Sequence, residues 1–78
     1  MKASERQRDH QRLRNNLKLV QKNYSVSELS ELLGISNPTW IAKMKEPWRR
    51  FSYDEFYLIA QYCRIDLMQL ISGELKIR

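Results

Sequence analysis

The stretch from Ser25 to Lys45 restricts what this chain can fold into more than any other. Ser25 is suited to cap a helix, and Glu28, three residues on, is placed to reach back to the cap's own N–H. Leu29, Leu32 and Leu33 then share one face at the i, i+3, i+4 spacing of a buried stripe. Gly34 ends the run, because glycine enters the left-handed conformation after a helix without steric cost. Ser36 can cap a second helix, and Pro38 falls in its first turn, where a missing N–H costs nothing. The spacing predicts helices over 26–33 and 37–45 joined by a short turn.

Upstream, Leu13, Leu17 and Val20 form an i, i+4, i+7 stripe, which predicts a helix over 9–22. Ser4-Glu5-Arg6-Gln7 would allow an earlier start, so residues 1–8 are either a basic arm or an extension of that helix. Asn23-Tyr24 make the turn into Ser25, with Tyr24 as the hydrophobic staple. Downstream, Glu46-Pro47 ends the third helix and 47–51 is a loop. Ser52 and Glu55 form a capping box opening a helix over 53–63, with Phe56, Ile59, Ala60 and Cys63 on its inner face. Ile65 returns to the core, Asp66 caps a helix over 67–72 carrying Leu67, Leu70 and Ile71, and Gly73 closes it. The tail 74–78 alternates polar and apolar residues; the pattern could pair with a second copy as an edge strand, but five residues are too few to stand alone and fraying is the expectation. No internal repeat is visible in the sequence. The expectation is an all-α chain of five helices forming one domain over 9–73, since 78 residues support no second core.

Charge is unevenly placed. Residues 1–24 carry seven basic and two acidic side chains, which accounts for the whole net charge of +5, whereas 25–78 carry seven of each. Within that neutral part Lys43, Lys45, Arg49 and Arg50 cluster around a single Glu46. Two basic patches on an otherwise balanced chain point to a polyanion. The single Cys63 suits a reducing compartment. The longest apolar run, Phe56 to Ala60, is too short to span a bilayer, and the N-terminus has no apolar signal-peptide core. A cytoplasmic protein without a membrane partner is expected.

Two short helices joined by a glycine-containing turn describe a helix-turn-helix. Glu28-Leu29-Ser30-Glu31-Leu32-Leu33-Gly34-Ile35-Ser36 followed by Thr39-Trp40 resembles that motif in the Cro/C1-type, lambda-repressor-like family of phage and bacterial repressors, and the likeness extends over 52–70. The resemblance implies a compact five-helix DNA-binding domain with its helix-turn-helix at helices 2 and 3. It also implies a sequence-specific transcriptional regulator of double-stranded DNA with the third helix in the major groove; a single domain of this size makes a limited interface, so tight specificity would need a homodimer on a two-fold site. Base readout in such repressors comes from the positions matched here by Asn37, Pro38, Thr39 and Ala42. The residue types suit that role, because Asn can bond adenine bidentately and the Thr and Ala methyls can touch thymine. Phosphate contacts fall to Ser25, Val26, Ser36, Lys43, Lys45, Arg49, Arg50 and Ser52, through charge and through N–H groups at helix starts. Val26 departs from the family, which often has Gln there, so one side-chain contact is lost while the backbone N–H remains.

At 100° per residue, Trp40 and Met44 face inward with Ile35, Ile41 lies on the flank, and Pro38, Thr39, Ala42 and Lys45 face outward, with Lys43 at the border. Trp48 reads as a lid over the core, His10 as a lone solvated residue, and Cys63 as a buried thiol. No His, Cys or carboxylate cluster has metal-ligand or triad spacing, so neither an enzyme nor a cofactor or small-molecule substrate is expected. The alternative class is a protein-interaction module that turns the Pro38-Thr39-Ala42 face to an antirepressor or antitoxin-type partner. A membrane-surface helix over 4–22 is a weaker reading, since its apolar stripe has no Trp or Phe anchor.

Overall fold

Leu13, Leu17 and Val20 are buried together on one side of a long first helix, as their spacing requires. A computed structural model describes the backbone of residues 3–73 and the side chains of 9–73, and the tail 74–78, read as a fraying end or an edge strand, lies outside the described residues. Six helices follow in order: α1 (Ala3–Asn23), α2 (Val26–Leu33), α3 (Asn37–Lys43), α4 (Pro47–Arg50), α5 (Tyr53–Cys63) and α6 (Leu67–Ser72). The all-α expectation holds, and α1 extends back to Ala3 rather than beginning at Asp9. No helix among the described residues is long and apolar enough to cross a membrane.

Two boundaries differ from the sequence reading. The third helix ends at Lys43, not Lys45. The expected loop 47–51 is instead mostly helical, making six helices rather than five. Proline explains both differences, because its fixed φ disfavours helix in the preceding residue yet is already set for the first position of a new one. Glu46 accordingly sits outside helical geometry, at φ −139° and ψ 69°, and Pro47 begins α4.

The core gathers around Trp40. Its indole is fully buried, meets Phe51 edge-on at 5.2 Å between centroids, and donates Nε1–H to the Gln21 side chain at 3.0 Å. Leu17, Val20, Leu29, Ile59 and Leu70 are equally inaccessible, and Phe51 and Phe56 complete the cluster. Asn16 interrupts the apolar stripe of α1, and its Nδ2 reaches the carbonyl oxygens of Gln69, Leu70 and Gly73 at 3.1, 2.9 and 2.9 Å. It thereby supplies donors to the last carbonyls of α6, of which that of Gln69 also accepts the Gly73 N–H at 3.1 Å.

Although the sequence shows no repeat, the backbone uses one turn twice. Gly34 (φ 69°) and Arg64 (φ 58°) both adopt the left-handed conformation. The next residue, Ile35 or Ile65, donates N–H back to the carbonyl of Ser30 or Ala60 at 2.9 Å, closing a Schellman motif in each case. Ser36 and Asp66 then cap α3 and α6. The helix starts differ. Ser52 and Glu55 form the full reciprocal box, whereas Ser25 only accepts from the Glu28 N–H. The Glu28 carboxylate instead accepts from the Tyr62 hydroxyl, tying α2 to α5, and that hydrogen bond pushes the phenol up to about 12.

Trp40→Ala is expected to cost about 3–5 kcal/mol, comparable with the whole stability of so small a domain, and Trp40→Phe less than half of that, read as urea midpoints by circular dichroism. Arg64→Gly should raise stability by about 0.5–1 kcal/mol in the same assay, since it relieves a left-handed arginine.

Candidate nucleic-acid interface

Trp40 fixes which side of α3 is inside, and the opposite side is set by what remains. Asn37, Pro38 and Thr39 are exposed, as is Lys45 in the following turn. Ala42 is half-buried, a less open position than its outward placement in the sequence predicts. Ile41, expected on the flank, is 55% exposed and belongs to the outer face. Met44 and Ile35 pack against the core as expected.

The polar groups on this face are not loose. Asn37 donates Nδ2–H to the Ser27 hydroxyl at 3.0 Å, joining the start of α3 to the first turn of α2. Ser36 accepts from the Thr39 N–H at 3.3 Å, and the two hydroxyls lie 2.8 Å apart. The Asn37 side-chain oxygen, its second Nδ2–H and the Thr39 methyl are the features such a face can offer an external partner without breaking a bond. Beside them, Ser25 caps α2 through its side chain, and the N–H groups of Val26 and Ser27 have no acceptor among the described residues. An anion is favoured at such a helix start.

The other end of α3 is arranged differently. Lys43 places its ammonium 2.9 and 3.0 Å from the two Glu55 carboxylate oxygens and 3.1 Å from the Arg50 carbonyl oxygen, with the Phe51 ring beneath it. Glu55 Oε1 also accepts the Ser52 N–H at 2.8 Å. Lys43 and Ser52, both expected to meet phosphate, therefore already bond a carboxylate that occupies the anion position at the start of α5. The pair is mostly shielded, with 20% and 17% of the side chains exposed. Burial would raise the Glu55 carboxyl, but the Ser52 N–H and the Lys43 ammonium outweigh it and hold the group below its ordinary value.

The cations that face outward are Lys45, Arg49 and Arg50. Arg49 lies 3.4 Å from Glu46, an exposed i, i+3 pair whose contribution is small. Residues that sequence reasoning passed over lie behind this surface. Arg14 donates Nη2–H to the Lys45 carbonyl oxygen and sits over Trp48, 5.2 Å from its ring centroid. His10, read as a lone solvated residue, is stacked on Trp48 at 4.1 Å with a 2° interplanar angle. Their i, i+4 spacing on α1 was the available signal, but their common partner lies far along the chain. Trp48 is half-buried against the core, as expected of a lid. These contacts bring the basic α1 alongside the α3–α4 turn, so two patches that are separate in sequence adjoin in space. Cys63 is half-buried, and burial pushes its thiol up, away from nucleophilic character.

No protein-family model, curated protein or solved structure matches the chain.

Because Glu55 is held below its ordinary value of 4.5, its ionised form stabilises the fold; that contribution is complete above this value and is lost as pH falls through the lower folded-state value. Glu55→Gln keeps a capping residue but removes the charge. The variant should be less stable than the parent at neutral pH, and the gap should close as pH falls through the lowered folded-state value of Glu55, as read from urea midpoints across the acid range.

Proposed function

We propose that the chain is a non-enzymatic, sequence-specific duplex-DNA-binding regulator that lays α3 in the major groove and acts as a pair of copies on a two-fold site. The observation that carries this reading is the outer face of α3. Asn37, Pro38 and Thr39 are small and exposed, the open helix start of α2 adjoins one end, and Lys45, Arg49 and Arg50 adjoin the other. A groove-entering helix needs this division, with small groups where base edges approach and charge where phosphates pass. The likeness of 25–36 and 52–70 to the Cro/C1-type repressors adds to the reading. A domain of this size makes a limited interface, and pairing is what supplies tight specificity. Arg49 and Arg50 are the leading phosphate ligands, with Lys45 at the same end of α3 and Ser25, Val26 and Ser36 at the other.

Ile41 favours a second reading. An apolar side chain 55% exposed on the same face suits a partner helix as well as a thymine methyl. A protein-interaction module would bind with little dependence on salt, whereas duplex binding weakens steeply as salt rises.

Selection from a random duplex pool at about 0.15 M salt tests the proposal, since non-specific attraction is already partly screened there. Enrichment of an inverted repeat with half-sites about one helical turn apart is expected, and failure to enrich any sequence would overturn it. On the selected site, Asn37→Ala should cost roughly 1–3 kcal/mol and relax preference at one base position. Arg49→Ala should weaken binding to all sequences alike and flatten the salt slope by about 0.9.

A further inference from the structure

Where α1 meets α4 lies an open cavity of about 410 Å³ lined by His10, Gln11, Arg14 and Trp48. Its walls are held in place. His10 and Arg14, one helical turn apart, both lie against Trp48, the imidazole stacked at 4.1 Å and the guanidinium 5.2 Å from the ring centroid. Arg14 is further fixed by the bond from Nη2 to the Lys45 carbonyl oxygen. Its Nε–H, however, is buried and has no hydrogen-bond partner. Buried polar groups are nearly always paired, so this unpartnered N–H, covered behind the cavity wall, leaves Arg14 with a donor that an acceptor in the cavity can engage once the side chain turns toward it.

The lining specifies the chemistry of that acceptor. Arg14, Gln11 and either tautomer of His10 present N–H donors, and among the described residues no carboxylate lines the cavity. We infer that the cavity is a binding site for a single phosphate group. Arg14 is its principal ligand, Gln11 and His10 are flanking donors, and the flat wall of Trp48 holds the guanidinium in place. A planar, fixed guanidinium is well matched to phosphate oxygens, and a charge-assisted hydrogen bond satisfies the orphaned Nε–H. The phosphate belongs either to the backbone of a duplex or to a small phosphate-bearing molecule. The site stands on its own geometry and does not require α3 to read bases.

The test is an NMR titration of the full chain that follows the Arg14 Nε–H and the Gln11 side-chain amide. Sodium phosphate is added near neutral pH at constant ionic strength, with chloride as the balancing anion. A saturable shift of both resonances, absent with chloride alone, is expected. Arg14→Gln should abolish it. Gln11→Glu changes an exposed side chain that the fold does not use, and should weaken phosphate binding at least about tenfold by placing a carboxylate in the cavity. A second arm uses duplex DNA. Shifts of the same two resonances assign the phosphate to the DNA backbone, and a response to phosphate but not to DNA assigns it to a small molecule. No saturable response to either overturns the site. DNA that perturbs α3 alone, with no response to phosphate, overturns this site and leaves the α3 reading standing, whereas a phosphate response with no DNA binding does the reverse.

Discussion

The Trp40 indole is the contact on which the arrangement of α3 depends. A seven-residue helix has too few hydrogen bonds to hold its own shape in water, so its stability comes from packing. Trp40 supplies that packing as a member of the common apolar core, with Phe51 edge-on and Gln21 taking its N–H. A buried indole without an acceptor would lose much of what its area gains. Because the ring is locked, the opposite face of the same helix is fixed in direction, and the small residues there are presented rather than merely exposed.

Each end of α3 is then tied to the start of another helix, but with opposite consequences. Asn37 reaches Ser27 in the first turn of α2, and Lys43 reaches Glu55 in the first turn of α5. The first link is a neutral hydrogen bond at the surface, which an external ligand can exchange at little cost. The second is a shielded ion pair whose carboxylate also completes a helix cap, and removing either partner would leave a partly buried charge. Lys43 therefore serves the fold, and the task of meeting polyanions passes to the arginines one helix later. Net charge alone cannot separate these roles, because the lysine and the arginines contribute equally to it.

Much of the architecture was legible in the sequence because it is encoded locally. The caps at Ser25, Ser36, Ser52 and Asp66 lie within three residues of the N–H groups they accept, and the apolar stripes of α1, α2 and α5 repeat within single helices. What escaped is short or non-local. Four residues of α4 are too few for a periodicity, and Pro47 signals the end of one helix more loudly than the beginning of another. The left-handed turn at Arg64 carries no glycine to announce it. Gln21, Asn16, His10 and Arg14 owe their roles to partners far along the chain, so their own neighbourhoods read only as polar helix surface. For the candidate interface, the sequence indicated that Asn37, Pro38, Thr39 and Lys45 face outward, but not that Ile41 joins them while Ala42 is half-buried, nor that Lys43 and Ser52 share a carboxylate.

The polar residues of α1 add a constraint that helical stripes alone do not express. Asn16 lies between Leu13 and Val20 on the buried side and would be costly there without acceptors. Its bonds to the last carbonyls of α6 make that cost conditional on α6 docking in one register. An apolar residue at that position would tolerate several registers, whereas an asparagine is satisfied in few. Arg14 acts comparably one turn earlier, where its bond to the Lys45 carbonyl holds the exit of α3 against α1. The two residues that look least suited to a buried stripe are thus the ones that fix how the first helix sits against the last and against the α3–α4 turn.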